Sequence, residues 1–376
     1  MNKKIANVVL SDFTNDSRVL KISKSLTEFG YGSTVVAMHN SGLLKDEVVQ
    51  GLKIHRVKLI SRPWPKWKPI QFFKYLEFLV KAVITYRKVD IIHCNDLNAL
   101  PVGLLIKLFG RDKKVVYDCH EYETEVNGLK GFEKSVKKWF ERKLIRYADV
   151  VITVSDSIAN DYSCLYGIPK PHLVLNCPPY QEQSKHDFFR ETLGIRSNQT
   201  IFLYQGGLGK GRGIELLLEA FSDLDSDTNV LVCMGYGPLE DLIRERAKQQ
   251  RTIYFHLAVS PDVLLSYTSS VDYGILFYED TCLNHRYCSP NKIFEYMMAG
   301  LPVLTSNLFE MKRLVEAEGV GIVAEENTVD GFRQAVHASL QQNYAAIQQN
   351  VFSARKKYCW EEQEKVLKEI LGLTQK

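Results

Sequence analysis

Short β-branched runs recur along the whole chain, each separated from the next by a longer stretch. In the first half they occupy 4–10, 32–38, 90–94, 114–119 and 149–154; in the second, 200–205, 229–234, 253–257, 273–278 and 302–305. Amphipathic helical patterns lie between most of them, for example at 17–29 and 213–222. This alternation predicts an α/β protein whose parallel sheets are covered on both faces by helices. The pattern breaks over 176–199, where Asn176-Cys177-Pro178-Pro179 leads into a polar, charge-rich stretch. The break predicts two doubly wound domains, with a linker over 177–199 and the second domain starting near Thr200. Such domains bind ligands at the C-terminal ends of their strands, so a cleft between two facing domains is the expected site.

At 376 residues, 45% apolar and 24% charged, the composition fits a soluble globular chain with two domains and excludes disordered and fibrous classes. No uninterrupted apolar run approaches the ~18 residues of a membrane span. Met1-Asn2-Lys3-Lys4-Ile5 runs straight into a strand pattern without the apolar core of a signal peptide. The eight cysteines are scattered with no Cys-x-x-Cys pair, which argues against structural zinc and a disulfide framework. A cytoplasmic location is the expectation.

Charge divides unevenly. Residues 1–176 carry 28 Lys/Arg against 18 Asp/Glu, a net +10, and the remainder is net −6. A basic front half suits an anionic membrane or nucleic acid. The segment Arg62-Pro63-Trp64-Pro65-Lys66-Trp67-Lys68-Pro69, with Phe72-Phe73-Lys74-Tyr75, interleaves bases with aromatics. That mixture suits a membrane interface, and less well the stacking of single-stranded nucleic acid. It also fits a Pro-rich loop whose rings pack on their own domain. Membrane contact through 62–75, without nucleic acid, is the reading carried forward.

Ser289-Pro290-Asn291-Lys292 opens a short helix that Gly300-Leu301-Pro302 closes. The start of that helix offers unpaired N–H groups and a positive dipole end, which favour phosphate. Lys292 adds a cation, and Glu295, one turn on, can accept from ribose hydroxyls. The same residues also read as an ordinary amphipathic helix. Upstream, Gly206-Gly207-Leu208-Gly209-Lys210-Gly211-Arg212-Gly213 joins a strand to a helix. Its glycines let backbone approach a phosphate while Lys210 and Arg212 supply charge, although its spacing matches neither the dinucleotide fingerprint nor the Gly-Lys-Ser/Thr phosphate loop. In the first half, Tyr117-Asp118-Cys119-His120-Glu121 ends a strand, which puts His120 at a strand mouth where it can bond a sugar hydroxyl or stabilise developing charge. Ile92-His93-Cys94-Asn95-Asp96 ends another, so His93 and Asp96 can line the same site. Before the first helix, Asp16 or Ser17 suits an N-cap, and Arg18 can meet an acceptor phosphate.

Taken together these residues resemble glycosyltransferase family 4, whose GT-B fold pairs two Rossmann-like domains across a central cleft. Asn15-Asp16-Ser17-Arg18-Val19 is similar to the family's first turn, Asp118-Cys119-His120-Glu121 to its Asp-x-His-Glu, Asn176 to its hinge Asn, and Gly235-Tyr236-Gly237-Pro238 to its Gly-x-Gly-Pro turn. Trp360 lies where the family's last helix crosses back, which implies a helical segment over 353–376 packing on an N-terminal domain of 1–176, after a donor domain of 200–352.

The resemblance implies a retaining transferase without cofactor or essential metal. His120 and Glu295 would be catalytic, and the donor, UDP- or GDP-linked, would be bound by Gly207, Lys210, Arg212, Gly235, Ser289, Pro290, Asn291, Lys292 and Glu295. Asp16, Arg18, His93 and Asp96 would lie on the acceptor side. Two departures stand out. Tyr287 replaces the first Glu of the paired-Glu signature, and Gly206-Gly207 replaces a Gly-Arg. The expected partners are a nucleotide-sugar and a glycan or polyprenyl-linked acceptor, met at the inner face of the membrane. The rival expectations are a nucleotide-sugar-binding subunit without chemistry, and an epimerase or sugar-phosphate synthase on the same fold.

Overall fold

The computed structural model describes residues 3–14, 16–110 and 112–372. It divides into two compact units, Met1–Val174 with Val366–Lys376, and Leu175–Lys365. Asn15 lies outside the described residues.

The first unit is built on eight strands: β1 (Lys4–Val8), β2 (Gly32–Met38), β3 (Asp46–Val49), β4 (Leu52–Val57), β5 (Ile91–Asn95), β6 (Lys114–Cys119), β7 (Val150–Thr153) and β8 (His172–Leu173). Their order is β3-β4-β2-β1-β5-β6-β7-β8, and every neighbouring pair is parallel except β3 with β4. All the strands expected in this half are present. The β3–β4 hairpin was not expected, yet Gln50-Gly51, with φ of 51° and 82°, is the left-handed pair that a two-residue hairpin demands. The helix Ser17–Glu28 is capped by Asp16, whose side chain accepts from the Val19 N–H at 3.0 Å. The helix Trp360–Leu371 runs from the second unit's residues into the first's, where Lys114 donates to the Ile370 carbonyl at 2.6 Å.

The second unit holds six parallel strands: β9 (Thr200–Gly207), β10 (Asn229–Tyr236), β11 (Ile253–Leu257), β12 (Tyr273–Leu276), β13 (Val303–Thr305) and β14 (Gly321–Val323). The order β11-β10-β9-β12-β13-β14 is two βαβ halves wound outward from β9 and β12. Residues 177–199, read as a linker, belong to this unit and carry the helix Phe188–Leu193, with Phe189 fully buried. Its apolar pattern is simply too short to stand out in a polar stretch.

The short helix Asn291–Met298 is seated on this sheet through Tyr296. Its hydroxyl donates to the Leu203 carbonyl at 2.9 Å and accepts from the Gln205 N–H at 3.2 Å. The ring lies where β12 has Gly274; a Cβ there would come within 2.3 Å of Tyr296 Cγ. Lys292 and Glu295 therefore take their positions from a glycine and a buried tyrosine. Gly274→Ala should cost about 1–3 kcal/mol by overpacking this contact. Urea unfolding checks it, and an unchanged midpoint would mean that the ring does not fix the helix.

Candidate functional site

In each unit the strand order reverses at one place, β1/β5 in the first and β9/β12 in the second, and each reversal carries a polar cluster. In the first unit the hub is Asp118, fully buried at the end of β6. Arg18 grips it with two bonds, NH2 to Oδ1 at 2.6 Å and Nε to Oδ2 at 3.1 Å, and donates through NH1 to the Val174 carbonyl. His93 Nε2 lies 3.1 Å from Asp118 Oδ2. Burial opposes ionisation of Asp118, but the Arg18 guanidinium and the hydrogen bonds of His120 and His93 hold its carboxyl well below the usual carboxylate range. Removing one partner of such a buried pair typically costs about 3–5 kcal/mol.

His120, with 18% of its side chain exposed, is the outer member of this cluster. Its Nε2 is 3.1 Å from Asn95 Oδ1, and Asn95 is held in turn by Asn7 and the Val8 carbonyl. Asp96, at a left-handed φ of 64°, lies 3.6 Å from His120 Nδ1. Burial alone would lower the proton affinity of His120, but the Asp96 and Asp118 carboxylates outweigh it and raise its pKa above the ordinary histidine value. The imidazole is thus positioned and charge-supported to donate a hydrogen bond.

The structure brings His120, His93 and Asp96, read at strand ends, together with Arg18 from the first helix. It gives Arg18 other work, and bears out the N-cap reading of Asp16. Arg18 is 3% exposed and saturated by Asp118 and Val174, so it positions Asp118 and does not present itself to an acceptor phosphate. Asp16 caps its helix. Asp118 was quoted only as part of a motif; its burial between three cationic or imidazole groups makes it the hub.

In the second unit a buried lysine and a half-buried arginine lie side by side. Arg212 NH1 donates to the Tyr278 hydroxyl at 2.8 Å, and Lys292 Nζ reaches the same oxygen at 3.3 Å. Lys292, 8% exposed, also lies over the Tyr204 ring at 5.1 Å. Gly206 leaves room for the lysine, since a Cβ there would meet Lys292 Cε at 2.8 Å. Gly235 lets β10 close on β9, its would-be Cβ falling 1.9 Å from the Gly206 carbonyl oxygen. Burial, and then the neighbouring Arg212 charge, lower the Lys292 pKa from 10.5 to about 7 against the pull of Glu295. Two cations sharing a buried tyrosine hydroxyl can hold an anion.

The other expected donor-side residues surround this pair. Gly207 follows Gly206 in β9, and the Tyr204 hydroxyl donates to its carbonyl at 3.0 Å. Ser289 is buried, Pro290 starts the helix, and no side chain caps the N–H groups there. Asn291 and Lys210 are exposed. Glu295 accepts from Gln205 Nε2 at 2.6 Å, and Thr268 fixes Gln205 from its other side at 2.7 Å. Tyr287 packs edge-on to Phe309 at 6.2 Å, and Arg286 is tied to Asp280. Tyr204, Gln205 and Tyr278 were not foreseen, because tyrosine and glutamine at strand ends look like ordinary core and surface residues. Only the position of Tyr278 after β12, beside the reversal, marks it.

Residues 17–177 match the family model Glycosyltransferase Family 4, and residues 199–342 match Glycosyl transferases group 1. The chain belongs to the GT-B glycosyltransferases. An uncharacterized glycosyltransferase of Methanocaldococcus jannaschii is 24% identical over 340 residues, 84% of this chain and 83% of that one. WcaI of Escherichia coli, whose name places it in colanic acid biosynthesis, is 25% identical over 64% of this glycosyltransferase and 65% of its own length. Among solved structures, sucrose-phosphate synthase of Thermosynechococcus elongatus superposes with a TM-score of 0.81 at 16% identity, over 98% of each chain. HepE of Anabaena, in complex with UDP, gives 0.78 at 16% identity over 99% of this chain and 100% of that one. Among the described residues of this glycosyltransferase no helix is long and apolar enough to cross a membrane.

The anion site carries a pH signature. A bound diphosphate would favour charged Lys292, so binding takes up a proton wherever the empty site has lost it. Above about pH 7 the nucleotide's own phosphates are already ionised. Nucleotide affinity should therefore fall roughly tenfold between about pH 7 and about pH 8.5. In Lys292→Met the affinity should be weaker and nearly flat over that range. Calorimetric titration at the two pH values checks this, and an equally steep fall in Lys292→Met would assign the proton to another group.

Proposed function

We propose that this glycosyltransferase moves a sugar, with retention of configuration, from a UDP- or GDP-linked donor to a glycan or polyprenyl-linked glycan. The observation that carries the donor half is the pair of cations, half-buried Arg212 and buried Lys292, that meet at the Tyr278 hydroxyl. They neutralise the diphosphate, supported by Gly207 and the uncapped N–H groups at 289–292, so that no metal is required for that charge. Glu295, oriented by Gln205 and Thr268, accepts from the ribose hydroxyls. His120 donates to the transferred sugar near its reacting carbon, and His93 and Asp96 lie on the acceptor side. Lys210, exposed beside the same turn, adds long-range attraction.

Two further findings support the reading. HepE structures hold UDP and UDP-glucose, and relatives carry names in colanic and teichuronic acid biosynthesis. Surface polysaccharide or glycoconjugate biosynthesis is accordingly the proposed setting. The reaction would run in the cytoplasm at the inner membrane face, with 62–75 as a contact.

Thermal stability against a panel of UDP-, GDP-, CMP- and dTDP-sugars tests the donor, because ligand binding to the native state raises the melting temperature. One nucleotide class should shift it, and Glu295→Ala should reduce that shift. His120→Ala should keep the shift and lose turnover by at least about a hundredfold. No shift with any donor, or full turnover in His120→Ala, would overturn the assignment.

A further inference from the structure

The helix Gly131–Leu144, between β6 and β7, is turned inside out. A crossover helix normally buries an apolar stripe against its sheet. Here the face turned to the protein is charged. Lys134 and Lys138 pair with Glu125 at 2.6 and 3.0 Å, and Lys137 pairs with Glu123 at 2.7 Å. Glu141, its sole buried residue, accepts from the hydroxyls of Tyr117, Tyr162 and Tyr166. Positions 134, 137, 138 and 141 form one helical face, and ion pairs and hydrogen bonds hold it in place.

The opposite face is apolar and bare. Phe132, Val136, Trp139 and Phe140 follow the i, i+4, i+7, i+8 spacing and are 85%, 44%, 59% and 41% exposed. A contiguous stripe of this size on a chain rich in buried aromatics marks a binding surface. Lys130, Arg142 and Lys143 border it, all exposed. The helix also meets the aromatic-basic segment directly: Glu133 pairs with Lys68 at 3.0 Å, which puts Phe132 and Trp67 on either side of one ion pair. Trp67 and Phe72 are 71% and 58% exposed. Lys74, by contrast, is buried, donating to the Arg62 and Trp64 carbonyls, and so holds the loop that carries the two tryptophans.

We propose that the outer face of the helix Gly131–Leu144 inserts its aromatic stripe into an anionic phospholipid bilayer. The choice of a bilayer rests on charge complementarity: the flanking bases belong to a segment of net +10, and aromatics bordered by Lys and Arg match a headgroup boundary. The inside-out arrangement has a purpose under this reading, since salt bridges keep the helix attached while its apolar side stays available. The proposal rests on the membrane setting proposed above and extends the contact read for 62–75 to an adjoining element.

Flotation with vesicles of phosphatidylcholine and phosphatidylglycerol, against phosphatidylcholine alone, tests it with the full chain. Phe132→Ser with Trp139→Ser should lower binding to the anionic vesicles at least about tenfold, with nucleotide binding and melting temperature unchanged. Trp64→Ser with Trp67→Ser tests the other segment by itself, so either contact can fail alone. In a Trp64→Phe, Trp67→Phe chain, brominated lipid should quench Trp139. Undiminished flotation of the Phe132/Trp139 variant, or absence of that quenching, would overturn the proposal. Equal binding to neutral vesicles would overturn the anionic surface. A chain that does not float but forms a dimer that these substitutions dissociate would give the face to a second copy.

Discussion

A buried lysine and a half-buried arginine that meet at one tyrosine oxygen are costly to keep charged, and the second unit is arranged around keeping them there. Arg212 and Lys292 both point at Tyr278, so each raises the cost of the other's charge. Glycine at 206 makes the space, glycine at 235 closes the neighbouring strand, and Tyr296 over Gly274 seats the helix from which Lys292 projects. The lysine meets the cost by giving up its proton readily when empty. Under the proposed function a bound diphosphate would remove the conflict, and the cost of the empty site is one that its ligand would relieve.

The first unit solves the opposite problem with the same means. There a buried carboxylate, Asp118, is fully compensated by Arg18 and His93. That compensation leaves His120 and Asp96 as the groups of the cluster that reach solvent, with the proton affinity of His120 raised by the Asp96 and Asp118 carboxylates. One unit thus offers a hydrogen-bond donor held by a polar network, and the other a pair of cations that meet at one tyrosine hydroxyl. Under the proposed function, sugar chemistry and phosphate binding make different demands, which the two clusters would meet separately.

Much of this was legible in the residues. The strands at 4–10, 114–119 and 200–205 announce themselves because strands buried on both faces are continuously apolar and β-branched. His120, Lys292 and Glu295 could be placed because glycine and proline punctuation fixes where strands and helices end. The β3–β4 hairpin went unseen although Gln50-Gly51 marks it, since its strands are short and Asp46–Val49 is polar. β14, only Gly321–Val323, offers too few residues for any periodicity. Arg18 was misjudged because a sequence reveals a cation but not the buried carboxylate 100 positions away that engages it. The helix at 131–144 has a readable apolar stripe, yet periodicity reports only that a helix has two faces. Which face turns inward depends on Glu123, Glu125 and three tyrosines supplied by other elements.

The central claim, that Arg212 and Lys292 hold the donor's diphosphate, is tested most directly by a thermodynamic cycle on the terminal phosphate. Calorimetric Kd values would be measured for the nucleoside diphosphate and its monophosphate, with the native chain and with Arg212→Met and Lys292→Met. In the native chain, losing the terminal phosphate should weaken binding at least about tenfold, and in either variant that difference should largely vanish. An undiminished preference for the diphosphate in both variants would place the phosphates elsewhere and contradict the account.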